Sequence, residues 1–290
     1  RPPLEHPISK AAPGRPSCFD ARFGTGPIDA VFLHANGFPP AAYRRCLSAF
    51  ARSAGASVHA LALRPLTMPE TVPGIDFDWM TMAADVECWL DAAGLQPMII
   101  AGHSLGAVVA IALASRRADA YARIVLFDPT VFEREVLERW RAALPEAPAR
   151  AELVRRTLSR PTRFPDIAAA FAFHRARRPY ARMDDEALEA YVKAAFLPAS
   201  DGGVRLAYPP RWEARIYETV PDVWDTFARS RAPVDIHRGS LSDVLTASAA
   251  EKLTAARPNV TVHTWPELGH LLPLEAPEAV GGRAGVVIGN

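Results

Sequence analysis

Apolar residues recur along this chain in two rhythms. Short runs of branched and aromatic residues alternate with longer stretches whose apolar positions repeat every three or four residues. Residues 29–33 predict a strand, and residues 41–54 predict a helix with Pro40 near its first turn. A second strand is expected at 57–63, then a proline-rich loop at 65–76. Residues 78–93 have helical spacing, with Trp79, Met82, Val86 and Leu90 on one face and Gly94 as the stop. Residues 98–101 are continuously apolar, as suits a strand buried on both faces. A helix at 104–117 and a strand at 123–127 follow, ending at Asp128-Pro129.

Strands alternating with helices at this spacing imply βαβ units and a parallel sheet. The alternation stops over residues 131–230, which read as helical text without a convincing strand. It resumes with a strand at 234–237, a helix at 246–256, a strand at 260–265 and a last helix near Leu274. The expected organisation is an α/β core built from residues 1–130 and 231–290, with a helical insert at 131–230. Prolines and glycines in the first 28 residues make strands there short and hard to place. Gly281, Gly282 and Gly285 are expected to break the last helix early, and the final stretch from Val286 to Asn290 has no functional reading.

The chemistry gathers where strands end. Gly102-His103-Ser104-Leu105-Gly106 follows an apolar strand and opens a helix. That setting turns a weak Gly-X-Ser-X-Gly pattern into a candidate nucleophile elbow, with Ser104 on a tight turn. A serine nucleophile needs a base, and His270 suits it, on a loop after the last expected strand. His237 and His263 lie within expected strands, where a buried histidine is ordinary, and His174 lies in the insert.

Two carboxylates compete to orient His270. Asp243, in a Gly-Ser-rich loop after the strand at 234–237, is favoured over Asp128, which ends the strand at 123–127. The oxyanion donors expected are the backbone N–H groups of Leu105 and of Asn36, in the loop His34-Ala35-Asn36-Gly37-Phe38. His34, Phe38, His103 and Trp212 are candidate substrate contacts.

Taken together, the elbow, the His34–Phe38 loop, the Gly239-to-Asp243 loop and Gly269-His270 with Pro273-Leu274-Glu275-Ala276-Pro277 resemble the α/β-hydrolase superfamily. The match spans most of the chain in the family's order, and is nearest to its capped single-domain members. The resemblance implies a mostly parallel central sheet flanked by helices, with residues 131–230 as a cap that roofs the pocket. It implies serine hydrolysis of an ester-type bond without metal or organic cofactor, the substrate being small or medium and largely apolar. A carbon–carbon bond hydrolase, a cofactor-free peroxidase and a non-catalytic small-ligand binder are the alternatives on the same fold. Ser104 argues against the branches that carry aspartate at the elbow. Ala35 stands where many relatives have glycine, and a clear N-terminal strand hairpin is missing from the pattern.

Composition adds boundaries. The 290 residues suffice for one large domain with an inserted lobe. The 33 basic and 32 acidic residues leave a net charge of +1, which gives no reason to expect nucleic acid as a partner. No segment reads as a membrane span or a leader, although the chain begins at Arg1. Three widely spaced cysteines, Cys18, Cys46 and Cys88, suggest reduced thiols and a cytoplasmic protein. Nothing in the pattern specifies an oligomeric state.

Overall fold

The computed structural model describes residues 19–143 and 146–286. Its strands, in chain order, are β1 (Phe19–Phe23), β2 (Ile28–Leu33), β3 (Ala56–Leu61), β4 (Ile99–His103), β5 (Arg123–Phe127), β6 (Arg163–Phe164), β7 (Phe196–Pro198), β8 (Val204–Leu206), β9 (Val234–Gly239) and β10 (Val260–Trp265). Seven of them form one sheet in the order β1-β3-β2-β4-β5-β9-β10. Its neighbours are parallel except β1, which pairs antiparallel with β3.

This order places the chemistry. β4 lies between β2 and β5, with Leu33 opposite Gly102 and Phe127 opposite His103. The loops leaving β2, β4 and β5 therefore meet at one sheet edge, where ligands bind in open α/β sheets. β9 continues that edge, with His237 opposite Phe127, and β10 follows.

Both faces of the sheet are covered. The helix Leu105–Arg116 is buried from Leu105 to Ala114. Its alanines and branched residues let it be enclosed by the sheet, the helix Met80–Ala93 and the helix Trp224–Arg229. On the other face the helices Arg44–Ala54 and Pro277–Val286 pack against each other.

That pair reverses one expectation. The last helix runs through Gly281, Gly282 and Gly285 rather than breaking there. A Cβ on Gly281 would stand 2.1 Å from the Cys46 carbonyl oxygen, and one on Gly285 would stand 2.7 Å from that of Phe50. The glycines allow close helix approach, and the packing outweighs their helix cost of about 1 kcal/mol each.

Between β5 and β9 the described residues add no strand to the large sheet. They form helices and, contrary to the sequence pattern, a small antiparallel sheet in the order β6-β8-β7. Those strands are two or three residues long, too short for alternation to register. Part of the expected loop at 65–76 is a short helix, Arg64–Thr67. Cys46 is buried, Cys88 partly so, and both are free thiols. Cys18 and residues 287–290 lie outside the described residues. Among the described residues no helix is long and apolar enough to cross a membrane.

Candidate active site

Ser104 joins β4 to the helix Leu105–Arg116 with φ 54° and ψ −113°. A non-glycine residue in this region is strained, at a cost of about 1–3 kcal/mol, so the surroundings must hold it there. They are packed too tightly for larger residues. A Cβ on Gly102 would lie 2.3 Å from the Gly106 carbonyl oxygen, and one on Gly106 would lie 2.0 Å from that of Leu33. The helix start thus presses against the end of β2.

Ser104 is nearly buried, and its Oγ lies 2.9 Å from His270 Nε2. Thr130 Oγ1 is also within 3.1 Å of the serine oxygen. On the far side of the imidazole, Nδ1 lies 2.9 Å from Asp128 Oδ1. The structure therefore brings Ser104 and His270 together and places Asp128, not Asp243, against the histidine. Asp243 is exposed.

The loop that favoured Asp243 serves Asp128 instead. Gly239 N–H donates to Asp128 Oδ2 at 3.0 Å, and Ser242 Oγ donates to Oδ1 at 2.5 Å. Asp128 is fully buried with φ 39°, so its carboxylate relies on these donors. The physical reason is strand order: Asp128 follows β5, the immediate neighbour of the elbow strand β4. His270 is held in turn by its preceding residue, since Gly269 N–H donates to Glu275 Oε2 at 2.7 Å.

Asn36 lies in the loop after β2, and Leu105 follows β4, the strand next to β2. Leu105 opens its helix, where backbone N–H groups lack intrahelical acceptors. The Asn36 loop is a tight turn, with Phe38 N–H donating to the Ala35 carbonyl at 3.1 Å and Gly37 at φ 80°.

Residues of the insert grip this loop. Tyr208 Oη donates to Asn36 Oδ1 at 2.7 Å, and Asn36 Nδ2 donates to the Glu213 carbonyl at 3.1 Å. The Glu213 carboxylate lies over Gly37 and pairs with Arg160 through both terminal guanidinium nitrogens. Burial works against the Arg160 charge, but the Glu213 carboxylate raises its pKa overall. Phe38 is half-buried, with its ring centroid 4.9 Å from that of Tyr191 and 6.3 Å from that of Tyr180.

Three of the expected substrate contacts are enclosed and committed elsewhere. His34 is fully buried, its Nε2 accepting from Leu63 N–H at 3.0 Å and its Nδ1 bonded to the Ala35 carbonyl at 2.8 Å. Burial lowers its pKa to about 4. His103 is also fully buried, between Tyr43 and the His270 backbone. Trp212 packs in the core and donates its indole N–H to the Met68 carbonyl at 3.1 Å. Only Phe38 keeps a partly open face. His237 is enclosed in the sheet, as its strand position suggests, and burial lowers its pKa to about 3.

Sequence reasoning missed Thr130, Ser242, Tyr43, Tyr208 and Glu213. Thr130 follows Asp128 closely, and Ser242 adjoins Asp243, so both lay inside loops already singled out. Tyr43, Tyr208 and Glu213 carry no local signal, because their partners are remote in the chain.

A family model described as the alpha/beta hydrolase family matches residues 30–282. The chain belongs to the alpha/beta hydrolase family. Solved structures agree on the fold. E-2-(acetamidomethylene)succinate hydrolase superimposes with a TM-score of 0.75 at 22% identity, covering 90% of this chain and 91% of that one. The thioesterase domain from the curacin biosynthetic pathway gives 0.69 at 19% identity, covering 91% and 93%. An M. tuberculosis esterase gives 0.68 at 20% identity, covering 90% and 85%. Among the described residues no group of three or more His, Cys, Asp or Glu side chains is arranged to hold a metal ion.

Proposed function

We propose that this protein is a serine hydrolase that cleaves an ester-type bond through an acyl-enzyme on Ser104. The observation that carries this reading is the pair of contacts Ser104 Oγ–His270 Nε2 and His270 Nδ1–Asp128 Oδ1, each 2.9 Å. It is the arrangement in which a base can activate a serine and a buried carboxylate can stabilise the charged imidazole.

His270 takes the Ser104 proton as Oγ forms a bond to the acyl carbon. Leu105 and Asn36 N–H groups hold the resulting oxyanion. His270 then returns the proton to the leaving group as its bond to the acyl carbon breaks. A water molecule, deprotonated by His270, attacks the acyl carbon and releases Ser104 with its proton. These steps call on no metal or organic cofactor. The insert between β5 and β9 is the cap in this reading, and it sets specificity. The aromatic flank made by Phe38, Tyr180 and Tyr191 beside the oxyanion loop favours a small or medium, largely apolar substrate. The thioesterase and esterase among the structural relatives accord with acyl chemistry.

Purified wild type is expected to hydrolyse a chromogenic short-chain ester and to be labelled by a fluorophosphonate, with the adduct on Ser104 by peptide mass mapping. Ser104→Ala is expected to abolish both. Undiminished turnover by that variant would overturn the proposal.

A further inference from the structure

A buried relay beneath the catalytic groups connects three loops that are far apart in the chain. Ala35 N–H donates to Tyr43 Oη at 3.2 Å. Tyr43 Oη lies 2.7 Å from His103 Nδ1, and His103 Nε2 lies 2.8 Å from the His270 carbonyl oxygen. The direction of the relay follows from the chemistry of its ends. A carbonyl oxygen only accepts, so His103 Nε2 carries a proton and donates it. The ring is neutral, since burial keeps its pKa well below 6.5. Its Nδ1 therefore has a lone pair, and the Tyr43 hydroxyl donates to it while accepting from Ala35.

Ala35 precedes Asn36 in the oxyanion loop, His103 precedes Ser104 at the elbow, and His270 is the base. We propose that Tyr43 and His103 are positioning residues that hold the oxyanion loop and the His270 backbone in register with Ser104. This rests on the serine-hydrolase reading above. His270 must aim Nε2 at Ser104 and Nδ1 at Asp128 at once, each at 2.9 Å. Its backbone carbonyl is tied to the residue next to the nucleophile, so a shift of the His270 loop relative to the elbow first has to break the His103 bond. An apolar side chain at position 103 would fill the space but leave the His270 carbonyl without its His103 donor and the Tyr43 hydroxyl without an acceptor.

Three variants test this by kcat and KM for p-nitrophenyl acetate, by the rate of fluorophosphonate labelling, and by thermal melting. His103→Leu is expected to lose about a hundredfold in kcat with KM unchanged, as small misplacements of reacting groups do. Tyr43→Phe removes the hydroxyl that accepts from Ala35 and donates to His103, and is expected to lose about tenfold. His103→Gln keeps a donor at the Nε2 position and is expected to recover most of the loss seen with His103→Leu. If His103→Leu fails to fold, Tyr43→Phe and His103→Gln carry the comparison. Unchanged kcat and labelling in Tyr43→Phe, or equal losses in the Gln and Leu variants, overturns the positioning role. A wild type whose Ser104 resists the fluorophosphonate overturns the hydrolase reading itself, whereas a labelled wild type with unaffected variants removes only the relay.

Discussion

His270 Nδ1 lies 2.9 Å from Asp128 Oδ1, although 142 residues separate the two in the chain. The same carboxylate accepts from Gly239 N–H and Ser242 Oγ, donors supplied by β9 and the loop after it. A carboxylate so held stays aimed at the imidazole without help from solvent.

Asp128→Asn is therefore expected to lower kcat for a chromogenic ester by about 10³–10⁴-fold. Asp243→Asn is expected to leave kcat unchanged, because Asp243 is exposed. Steady-state kinetics on both variants checks this. A large loss confined to Asp243→Asn would restore Asp243 as the acid.

The grip of the insert on Asn36 leads to a second expectation. Tyr208→Phe removes the donor to Asn36 Oδ1 and leaves that buried oxygen unpaired. In the proposed mechanism Asn36 N–H holds the oxyanion, so kcat is expected to fall about tenfold, the equivalent of one net hydrogen bond. KM should change less than kcat if the ground state does not use this donor. A rise in KM with kcat intact would show that Tyr208 serves substrate binding instead.

The C-terminal helix offers a stability test remote from the chemistry. Gly281→Ala would push a Cβ against the Cys46 carbonyl, and Gly285→Ala would push one against Ser53 Cβ and the Phe50 carbonyl. Helix propensity alone predicts that alanine stabilises by about 1 kcal/mol at each position. Overpacking predicts the opposite sign, a loss of about 1–3 kcal/mol. Urea unfolding of each variant is expected to show the loss, and a gain would mean that the two helices are not in close contact.

Stability should also fall as pH is lowered from 7 to 5. Burial lowers the pKa of His34 to about 4 and that of His237 to about 3, and it lowers that of His103 as well. Below pH 6.5 the unfolded chain takes up protons that these folded rings refuse, so the unfolded state gains. The slope is of the order of 1 kcal/mol per pH unit for each histidine. Glu275, whose pKa burial raises, acts with the opposite sign but is a single group. Denaturant midpoints at pH 7 and pH 5 measure the balance, and a midpoint that rises on acidification would contradict it.

Much of the architecture is legible from local pattern. The strands at Arg123–Phe127 and Val260–Trp265 fall where the apolar runs place them, and the elbow lies between a buried strand and a helix. Periodicity, turn residues and the order of motifs are local properties, so the amino-acid sequence alone determined the fold class and singled out Ser104 and His270. Tertiary structure decided what depends on distance between remote segments. Asp128 prevailed over Asp243 because β5 lies beside β4 in the sheet, a neighbour relation that no single loop encodes. Helix packing overruled the helix-breaking preference of Gly281 and Gly285. Tyr43, Tyr208 and Glu213 acquired their roles only through partners that folding brought within hydrogen-bond reach, which is why nothing in their own surroundings along the chain announced them.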